Sequence, residues 1–257
     1  MSLILDLLHP ASALVTGASS GIGLAVCRQL LARDDVAEVF AVSRSAISAA
    51  DLSTLAAEHP GRLHCIAADL TETSGRQHIA DEIAARTSSL QLLFNAAGLL
   101  HDQGLQPEKS LQQLQLSALQ RSFELNTFAP ILLVQGLLPL LAAGQPAVIA
   151  NLSARVGSIR DNLLGGWYTY RAAKAAQNQL FRTLAVEMKR THPRTVCLQL
   201  HPGTVDTPLS SPFKARVPAG KLFSPEYAAE QLLAVIAGAG PAHSGRFFAY
   251  DGSEIPW

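Results

Sequence analysis

Short apolar runs alternate with stretches of helical periodicity along the whole of the 257-residue chain. Runs of apolar and β-branched residues predict buried strands, and apolar positions three or four residues apart predict amphipathic helices. The predicted strands are 13–15, 36–42, 63–67, 90–94, 147–152, 195–200 and 247–250. The predicted helices are 22–31, 49–59, 72–86, 111–141, 167–188 and 225–237. Such regular alternation favours right-handed βαβ crossovers, and hence an α/β fold: a doubly wound parallel sheet of seven strands with helices on both faces.

The stretch 207–223 follows neither period and contains Pro208, Pro212, Pro218 and Gly220. A long irregular segment in a compact domain is commonly a functional loop. Because this one follows the carboxyl end of a predicted strand, where doubly wound sheets bind ligands, we interpret it as a substrate-side lid. A plain surface loop is the alternative. No linker-like composition interrupts the chain, so residues 1–257 are predicted to form a single domain.

Charge and cysteine usage narrow the class of protein. Twenty basic and twenty acidic residues balance without a block of like charge, which argues against a nucleic-acid or anionic-membrane partner. The N-terminus lacks the features of a signal peptide, and no uninterrupted apolar run approaches the roughly 18 residues of a spanning helix. Cys27, Cys65 and Cys197 lie in apolar patterns without C-x-x-C spacing, so we expect a cytoplasmic protein with reduced cysteines. No histidine pair has metal-binding spacing, and no metal site is predicted.

Three glycines, Gly17, Gly21 and Gly23, lie between the first strand and the first helix with the spacing G-x-x-x-G-x-G. Glycine permits a positive φ and a close approach of the backbone to a ligand. The helix that follows would direct free N–H groups and its positive dipole end at a phosphate. The loop is therefore a candidate pyrophosphate site, and an ordinary glycine turn is the alternative.

Tyr170 and Lys174 are four residues apart in a predicted helix and so share one face. An ammonium group beside a phenol favours the phenolate, so Lys174 is expected to lower the pKa of Tyr170. That would make Tyr170 a general acid/base near neutral pH. Taken alone, the spacing is also that of an ordinary surface pair.

Five motifs occur in the order found in the short-chain dehydrogenases/reductases, and the chain resembles that family over nearly its whole length. They are Thr16-Gly17-x-x-x-Gly21-Ile22-Gly23, Asn95-Ala96-Ala97-Gly98, Asn126, Tyr170-x-x-x-Lys174 and Pro202-Gly203. Weaker strings at 155–159, 165–168, 221–223 and 252–257 resemble the branch of C-factor-like proteins and sniffer-type carbonyl reductases. The resemblance implies a Rossmann-type fold and reversible hydride transfer between NAD(P)H and a small-molecule carbonyl or alcohol. It also implies a homodimer or homotetramer.

The resemblance implies roles for individual residues. Tyr170 would exchange a proton with the substrate oxygen, Lys174 would hold the nicotinamide ribose, and Asn126 would hold a water in a proton relay. Another interpretation of Asn126 is that it satisfies helix backbone groups freed by Pro130. The positions implied to contact the cofactor, besides Tyr170 and Lys174, are Gly17, Ser19, Ser20, Gly21, Ile22, Gly23, Ser43, Arg44, Asp69, Leu70, Asn95, Ala96, Ala97, Gly98, Pro202, Gly203, Thr204, Val205 and Thr207.

Charge at the end of the second predicted strand predicts the cofactor preference. A carboxylate there would accept a hydrogen bond from the ribose 2′-OH of NAD. Ser43 and Arg44 stand there instead, and a guanidinium can bind a phosphate bidentately. NADP(H) is therefore predicted over NAD(H), unless Arg44 only solvates a loop.

One position departs from the family pattern, which places a serine three residues after the asparagine of the fifth strand. Counted from Asn151, that position is Ala154, and the neighbouring serine is Ser153. Adjacent strand residues point to opposite faces, so Ser153 would replace that serine only if the strand end is shifted. The hydroxyls of Ser158 and Tyr168 are further alternatives. Loss of one such donor typically lowers the rate about 10²–10³-fold.

The sequence therefore predicts two alternative functions. The first is an NADP(H)-dependent oxidoreductase with Tyr170 as general acid/base; apolar residues in the 207–223 stretch favour a mostly apolar substrate. The second is an NADP-binding signalling or sensing protein with weak catalysis. Ala154 favours it, as does the resemblance to C-factor-like proteins, some of which are linked to cell–cell signalling. A Rossmann module without cofactor is a third interpretation.

Overall fold

Seven parallel strands form the central sheet of the computed structural model, which describes residues 2–142 and 144–257. The strands that the structure describes are, in chain order, β1 (Ala11–Thr16), β2 (Val36–Ser43), β3 (Leu63–Ala67), β4 (Leu92–Asn95), β5 (Ala147–Leu152), β6 (Thr195–His201), β7 (Thr204–Val205), β8 (Leu222–Phe223) and β9 (Arg246–Ala249). Of these, β7 and β8 form a separate two-stranded sheet. The sheet order is β3-β2-β1-β4-β5-β6-β9, and each neighbouring pair is parallel. The strand order reverses between β1 and β4, which is the switch point of a doubly wound sheet. The predicted α/β fold class is confirmed.

Helices cover both faces of the sheet. They are α1 (Gly21–Leu31), α2 (Ala50–Glu58), α3 (Thr73–Ala84), α4 (Leu116–Phe123), α5 (Ala129–Leu137), α6 (Tyr168–Thr191) and α7 (Pro225–Ala237). One core contains buried residues of α1, α2 and α7, and the other contains buried residues of α3, α5 and α6. Successive strand residues alternate between the two cores: Val15 lies in the first and Leu14 in the second. The strands are therefore apolar on both faces, which is why they appear in the sequence as continuous runs.

The helical stretch predicted over about 111–141 is not continuous, although the irregularity expected at Asn126 near Pro130 is present. The segment starts with a 3₁₀ turn (Leu111–Gln113), and Leu114 is extended. A π-helical segment (Glu124–Phe128) then separates α4 from α5, and a 3₁₀ turn (Leu138–Leu140) ends the stretch. Helical periodicity persists through such changes of winding, so the apolar pattern did not reveal them. By length and composition Leu116–Leu140 is the one stretch within 2–142 and 144–257 that could cross a membrane, but 44% of its most apolar part is buried inside this fold, as in a core helix.

The stretch 207–223 is more ordered than its sequence predicted. It contains a 3₁₀ helix (Ser211–Arg216) and ends in β8, which pairs with β7 in parallel. The backbone N–H of Asp206 also donates to the carbonyl of Phe223, at 2.8 Å. The two ends of the segment are therefore tied together beside the carboxyl end of β6, where a lid over the sheet edge would be anchored.

Candidate active site

The glycine loop lies at the switch point between β1 and β4. Gly17 has a φ of +65°, and a Cβ on it would lie 2.8 Å from the backbone nitrogen of Ala97, just after β4. A Cβ on Gly23 would overlap the carbonyl oxygen of Gly17. Gly21 has a φ of +53° and faces Thr207. Each glycine is thus required by backbone geometry, and the loop packs directly against both the β4 edge and the segment after β6.

The end of β2 presents an unsatisfied hydroxyl. Ser43 Oγ is buried and has no hydrogen-bond partner among the residues that the structure describes. The next residue, Arg44, is exposed. Hydrogen bonds from Thr71, together with the charge of Arg44, hold the pKa of Asp69 below its usual range. A hydroxyl donor and a guanidinium therefore lie next to an ionised carboxylate, as a phosphorylated ribose and an adenine edge would require.

The end of β4 also leaves a polar atom unpaired. Asn95 Oδ1 accepts from Thr16 Oγ1 at 3.4 Å, whereas Asn95 Nδ2 is buried without a partner among the described residues. Thr16 Oγ1 in turn accepts from the backbone N–H of Ala97 at 3.3 Å. Ala96, Ala97 and Gly98 carry small side chains or none and are half-buried, so a ligand could approach the backbone closely here. Together with the Ser43 hydroxyl, these features fit a dinucleotide at the switch point.

Asn126 lies in the π-helical segment and is fully buried. Its Oδ1 accepts from the N–H of Leu99 at 2.9 Å, and its Nδ2 donates to the Leu99 carbonyl at 2.7 Å and to Ser122 Oγ at 3.0 Å. The amide thus holds the backbone that follows the Asn95–Gly98 motif. Its amide bonds to the Leu99 backbone and Ser122 rather than to backbone groups freed by Pro130. π-Helical turns of this kind are frequent at functional sites.

Tyr170 and Lys174 are buried on the face of α6 that meets this edge, with exposures of 8% and 3%. Lys174 Nζ lies 5.8 Å from the centre of the Tyr170 ring. It donates to the carbonyl of Leu152, at the end of β5, at 2.8 Å and to Gln177 Oε1 at 3.2 Å. A Cβ on Gly98 would lie 3.3 Å from Asn126 Oδ1 and 3.9 Å from Lys174 Nζ, so these groups surround one small volume.

The expected lowering of the Tyr170 pKa is wrong for this structure. Burial raises the pKa of Tyr170, because the phenolate would lose its hydration. Burial also lowers the pKa of Lys174 to about 7, so near neutral pH the lysine carries only part of a charge. Its ammonium is directed at Leu152 and Gln177, and the attraction that would favour a phenolate is correspondingly weak.

Three hydroxyls, those of Ser153, Ser158 and Tyr168, are the alternatives to the serine that is missing at position 154. Ser153 is buried, and its hydroxyl donates to Asn178 Oδ1 on α6 at 2.7 Å. Ser158 is also buried and accepts from the N–H of Asp161 at 3.1 Å. Tyr168 is 41% exposed at the start of α6. Ser153 and Ser158 therefore have partners of their own, and Ala154 brings no hydroxyl to the end of β5.

The segment from Pro202 to Thr207 lies beyond β6. Gly203 has a φ of +78°, and a Cβ there would lie 2.7 Å from the ring of Phe223. Thr204 is exposed and Val205 is buried in β7. Thr204 thus lies on a strand that pairs with β8 at the end of the 207–223 stretch, and Thr207, two residues beyond β7, lies next to the glycine loop at Gly21.

Four residues of this region were not among the predicted site residues. His101 Nε2 lies 3.1 Å from the carbonyl oxygens of both Pro208 and Leu209, so it holds the lid. The rings of Trp167 and Phe213 lie 4.9 Å apart, and Trp167 lies 6.4 Å from Tyr170. Glu108 is buried against the start of α6. The string at 165–168 and the apolar residues of 207–223 were local signals for Trp167 and Phe213, whereas the His101 and Glu108 contacts join loops distant in sequence.

An open cavity of about 700 Å³ lies between the lid and the loop that follows β4. Its lining includes Glu108 and Phe213 but neither Tyr170 nor Lys174. Within residues 2–142 and 144–257, no group of three or more His, Cys, Asp or Glu side chains could hold a metal ion.

Comparison with known proteins identifies the family. The family model described as short chain dehydrogenase matches residues 11–217. The chain is 35% identical over 171 residues to the C-signal protein of Myxococcus xanthus, covering 66% of this chain and 95% of that one. It superposes on the NADPH-bound carbonyl reductase from chicken fatty liver (30% identity) and on the carbonyl reductase Sniffer of D. melanogaster (29%). Each superposition has a TM-score of 0.85 and covers 97% of this chain and all of the other.

The chain belongs to the short-chain dehydrogenase family. It is an NAD(P)-dependent oxidoreductase, in the branch that contains the C-factor-like and sniffer-type proteins.

Proposed function

We propose that the protein interconverts small carbonyl compounds and alcohols with NADP(H), using Tyr170 as the general acid/base. One observation carries the proposal: Tyr170 and Lys174 are buried together on α6, and Lys174 Nζ and Asn126 Oδ1 both lie close to Gly98, at the edge where the glycine loop meets β4. When bound, the nicotinamide cofactor supplies or accepts the hydride. Side chains of the protein would bind the cofactor and the substrate and would transfer the proton.

In the reducing direction Tyr170 would give its phenolic proton to the substrate oxygen. Burial raises its pKa, so the phenol holds that proton near neutral pH and is ready to act as the acid. Lys174 would hold the nicotinamide ribose through its ammonium group. Asn126, whose Oδ1 lies beside Gly98 near the lysine, would hold a water that returns a proton to Tyr170.

The preference for NADP(H) is supported by the end of β2. The unpaired Ser43 hydroxyl and the exposed Arg44 would together bind a 2′-phosphate. The chicken carbonyl reductase, to which this chain is similar, is NADPH-bound. The remaining implied cofactor positions, from Gly17 to Gly23 and from Pro202 to Thr207, line the same edge.

The test measures oxidation of NADPH with benzaldehyde, acetophenone and phenanthrenequinone, for the native protein and for Tyr170→Phe. We expect turnover with at least one carbonyl and a fall of about 10²–10⁴-fold in kcat for the variant. NADPH binding should persist in that variant, because the phenol oxygen is not needed to hold the phosphates. Failure of the native protein to oxidise NADPH with any carbonyl would contradict the proposal.

A second candidate function is NADP binding for signalling or sensing, with weak turnover. Ala154 favours it, because the site lacks the hydroxyl expected at that position. The relative named C-signal is consistent with it. Weak native activity that Ala154→Ser raises would support this candidate, whereas robust native activity unaffected by the substitution would remove its basis.

The assembly and location of the protein remain predictions. We infer a homodimer or homotetramer from the family and a cytoplasmic location from the three free cysteines. Light scattering of the purified protein tests the first, and fractionation of the source cells tests the second.

A further inference from the structure

The first turn of α6 is held by Glu108, a residue outside the motif set. Its carboxylate accepts from the N–H of Thr169 at 3.2 Å and from the hydroxyl of the same residue. Its carbonyl oxygen accepts from the N–H of Trp167 at 2.6 Å. The first N–H groups of a helix lack partners within it, and the N-cap residue, Trp167, supplies no side-chain bond. Glu108, on a loop distant in sequence, therefore supplies the hydrogen-bond acceptors that the residues before α6 do not.

The chain enters α6 through a strained segment. Gly165 and Gly166 each have a φ of +65°, and Trp167 has a φ of +51°. A bulky residue in this left-handed region is unfavourable and persists only where its surroundings hold it. Arg171 donates to the carbonyls of Gly165 and Gly166, at 3.1 and 2.9 Å, while Glu108 holds the other side. The indole of Trp167 is thereby fixed next to Tyr170.

Glu108 ends a loop that touches each part of the site. The loop starts at Leu99, which Asn126 holds, and continues to His101, which holds the lid. Glu108 itself is 3% exposed and bound to α6. A displacement at the Glu108 end would therefore change where α6 stands relative to both Asn126 and the lid.

We propose that Glu108 is a positioning residue: by capping α6 it determines where Tyr170 and Trp167 stand relative to Asn126. The carboxylate is suited to this because it can accept two hydrogen bonds and its charge is favourable at a helix N-terminus. The proposal rests on the role of Tyr170 given above. It assigns Glu108 no contact with the substrate.

The first test compares Glu108→Ala and Glu108→Gln with Glu226→Ala, which removes an exposed glutamate from the first turn of α7. We expect Glu108→Ala to lower kcat about tenfold or more with phenanthrenequinone, with the Kd for NADPH within twofold of the native value. Glu108→Gln keeps an acceptor for the Thr169 N–H and should restore kcat to within about threefold. Glu226→Ala should match the native protein.

A second test does not need turnover. The chain has two tryptophans, and Trp257→Phe leaves Trp167 as the only one. In that background Glu108→Ala should move the fluorescence emission of Trp167 to longer wavelength, as the indole becomes more exposed to water. Glu108→Gln and Glu226→Ala should leave the emission unchanged. If the native protein shows no turnover, the proposed function fails and this measurement alone decides the role of Glu108.

Three results would overturn the proposal. They are an unchanged kcat and emission in Glu108→Ala, a loss of NADPH affinity in step with kcat, and an equal effect of Glu226→Ala. Should Glu108→Ala not fold, Thr169→Val takes its place, because it removes the hydroxyl that donates to the carboxylate. A fall in kcat of about threefold is then expected, and no fall would overturn the proposal.

Discussion

Lys174 shows how burial changes the chemistry of a single residue. Its ammonium is held by the carbonyl of Leu152 and by Gln177, yet the loss of hydration outweighs these bonds and lowers its pKa from 10.5 to about 7. Between these two values the unfolded chain binds a proton that the folded protein has lost. The contribution of Lys174 to the free energy of unfolding therefore rises with pH from about 7 to 10.5, and below pH 7 the folded protein bears the full cost of the buried charge.

Replacing Lys174 with Met should therefore stabilise the protein in the absence of NADPH. We expect the free energy of unfolding to rise by ~1 kcal/mol or more at pH 6, and the gain to shrink at pH 9. Urea unfolding at the two pH values measures it, with Lys189→Met, an exposed position on α6, as the control. A gain in the free energy of unfolding that does not depend on pH, or a loss of stability at pH 6, would show that the charge of Lys174 does not destabilise the folded protein.

Ala154 is the residue at which the site departs from its family. Its neighbour Ser153 is bound to Asn178, so that hydroxyl is already engaged on α6. A serine at 154 would add a donor at the end of β5, where the family pattern places the one that holds the substrate oxygen.

Ala154→Ser is expected to raise kcat about tenfold or more, because one donor to a developing oxyanion is typically worth 10²–10³-fold. The measurement is steady-state NADPH oxidation with the best carbonyl substrate. Ser153→Ala is assayed in parallel, since a large fall there would assign the role to Ser153 instead. An unchanged kcat in Ala154→Ser would mean that the site functions without this donor.

At the scale of elements, the β1–α1 turn and the π-helical segment place the site. The turn packs its backbone against the end of β4 through Gly17, with Gly23 folded onto the Gly17 carbonyl. The π-helical segment turns Asn126 toward the Leu99 backbone. A Cβ on Gly17 or Gly23 would meet backbone atoms at less than 3 Å, so the turn has no room for a larger residue at either position.

A matched pair of glycine substitutions tests the turn. Gly23→Ala should lower the free energy of unfolding by ~1–3 kcal/mol and weaken NADPH binding, because the new Cβ overlaps backbone rather than a movable side chain. Gly136→Ala lies in α5 with nothing within 4 Å of the added atom, and should stabilise by ~0.5–1 kcal/mol. Thermal unfolding and NADPH titration measure both variants. Equal effects from the two would mean that the turn has no special geometry.

At the scale of the whole molecule, the sheet order brings the cofactor half and the catalytic half to one edge. β1, β4 and β5 are neighbours in the sheet although more than a hundred residues separate β1 from β5. The motifs at their carboxyl ends therefore meet at the switch point. Binding there should couple to the stability of the entire domain.

NADPH at about 100 times its Kd should raise the free energy of unfolding by ~2.7 kcal/mol, and NADH at the same concentration should raise it less. Arg44→Ala should remove most of the difference in stabilisation between the two cofactors, because it should weaken the binding of NADPH and leave that of NADH unchanged. Thermal unfolding with each cofactor measures this, and an equal shift by both cofactors in the native protein would contradict the preference for NADP(H).

Much of the fold and of the motif set was predictable from sequence because it depends on local pattern. The strands were visible as apolar runs since both faces of the sheet are covered, and α7 has the predicted bounds. The long helix over 111–141 was not resolved into its parts, because the apolar period continues through the π-helical segment. The Glu108 and His101 contacts were missed, since they join loops that only the fold brings together.

The sequence by itself determined the doubly wound sheet, the glycine turn and the family, because strand and helix periods and motif spacing are properties of neighbouring residues. Tertiary structure alone decided the protonation chemistry of Tyr170 and Lys174. Spacing predicted a lowered pKa for the tyrosine, but the pKa depends on hydration, and α6 packs both groups out of water against the end of β5. The tertiary structure also decided the hydrogen-bond partners of Ser153 and Glu108, because segments distant in sequence pack together there.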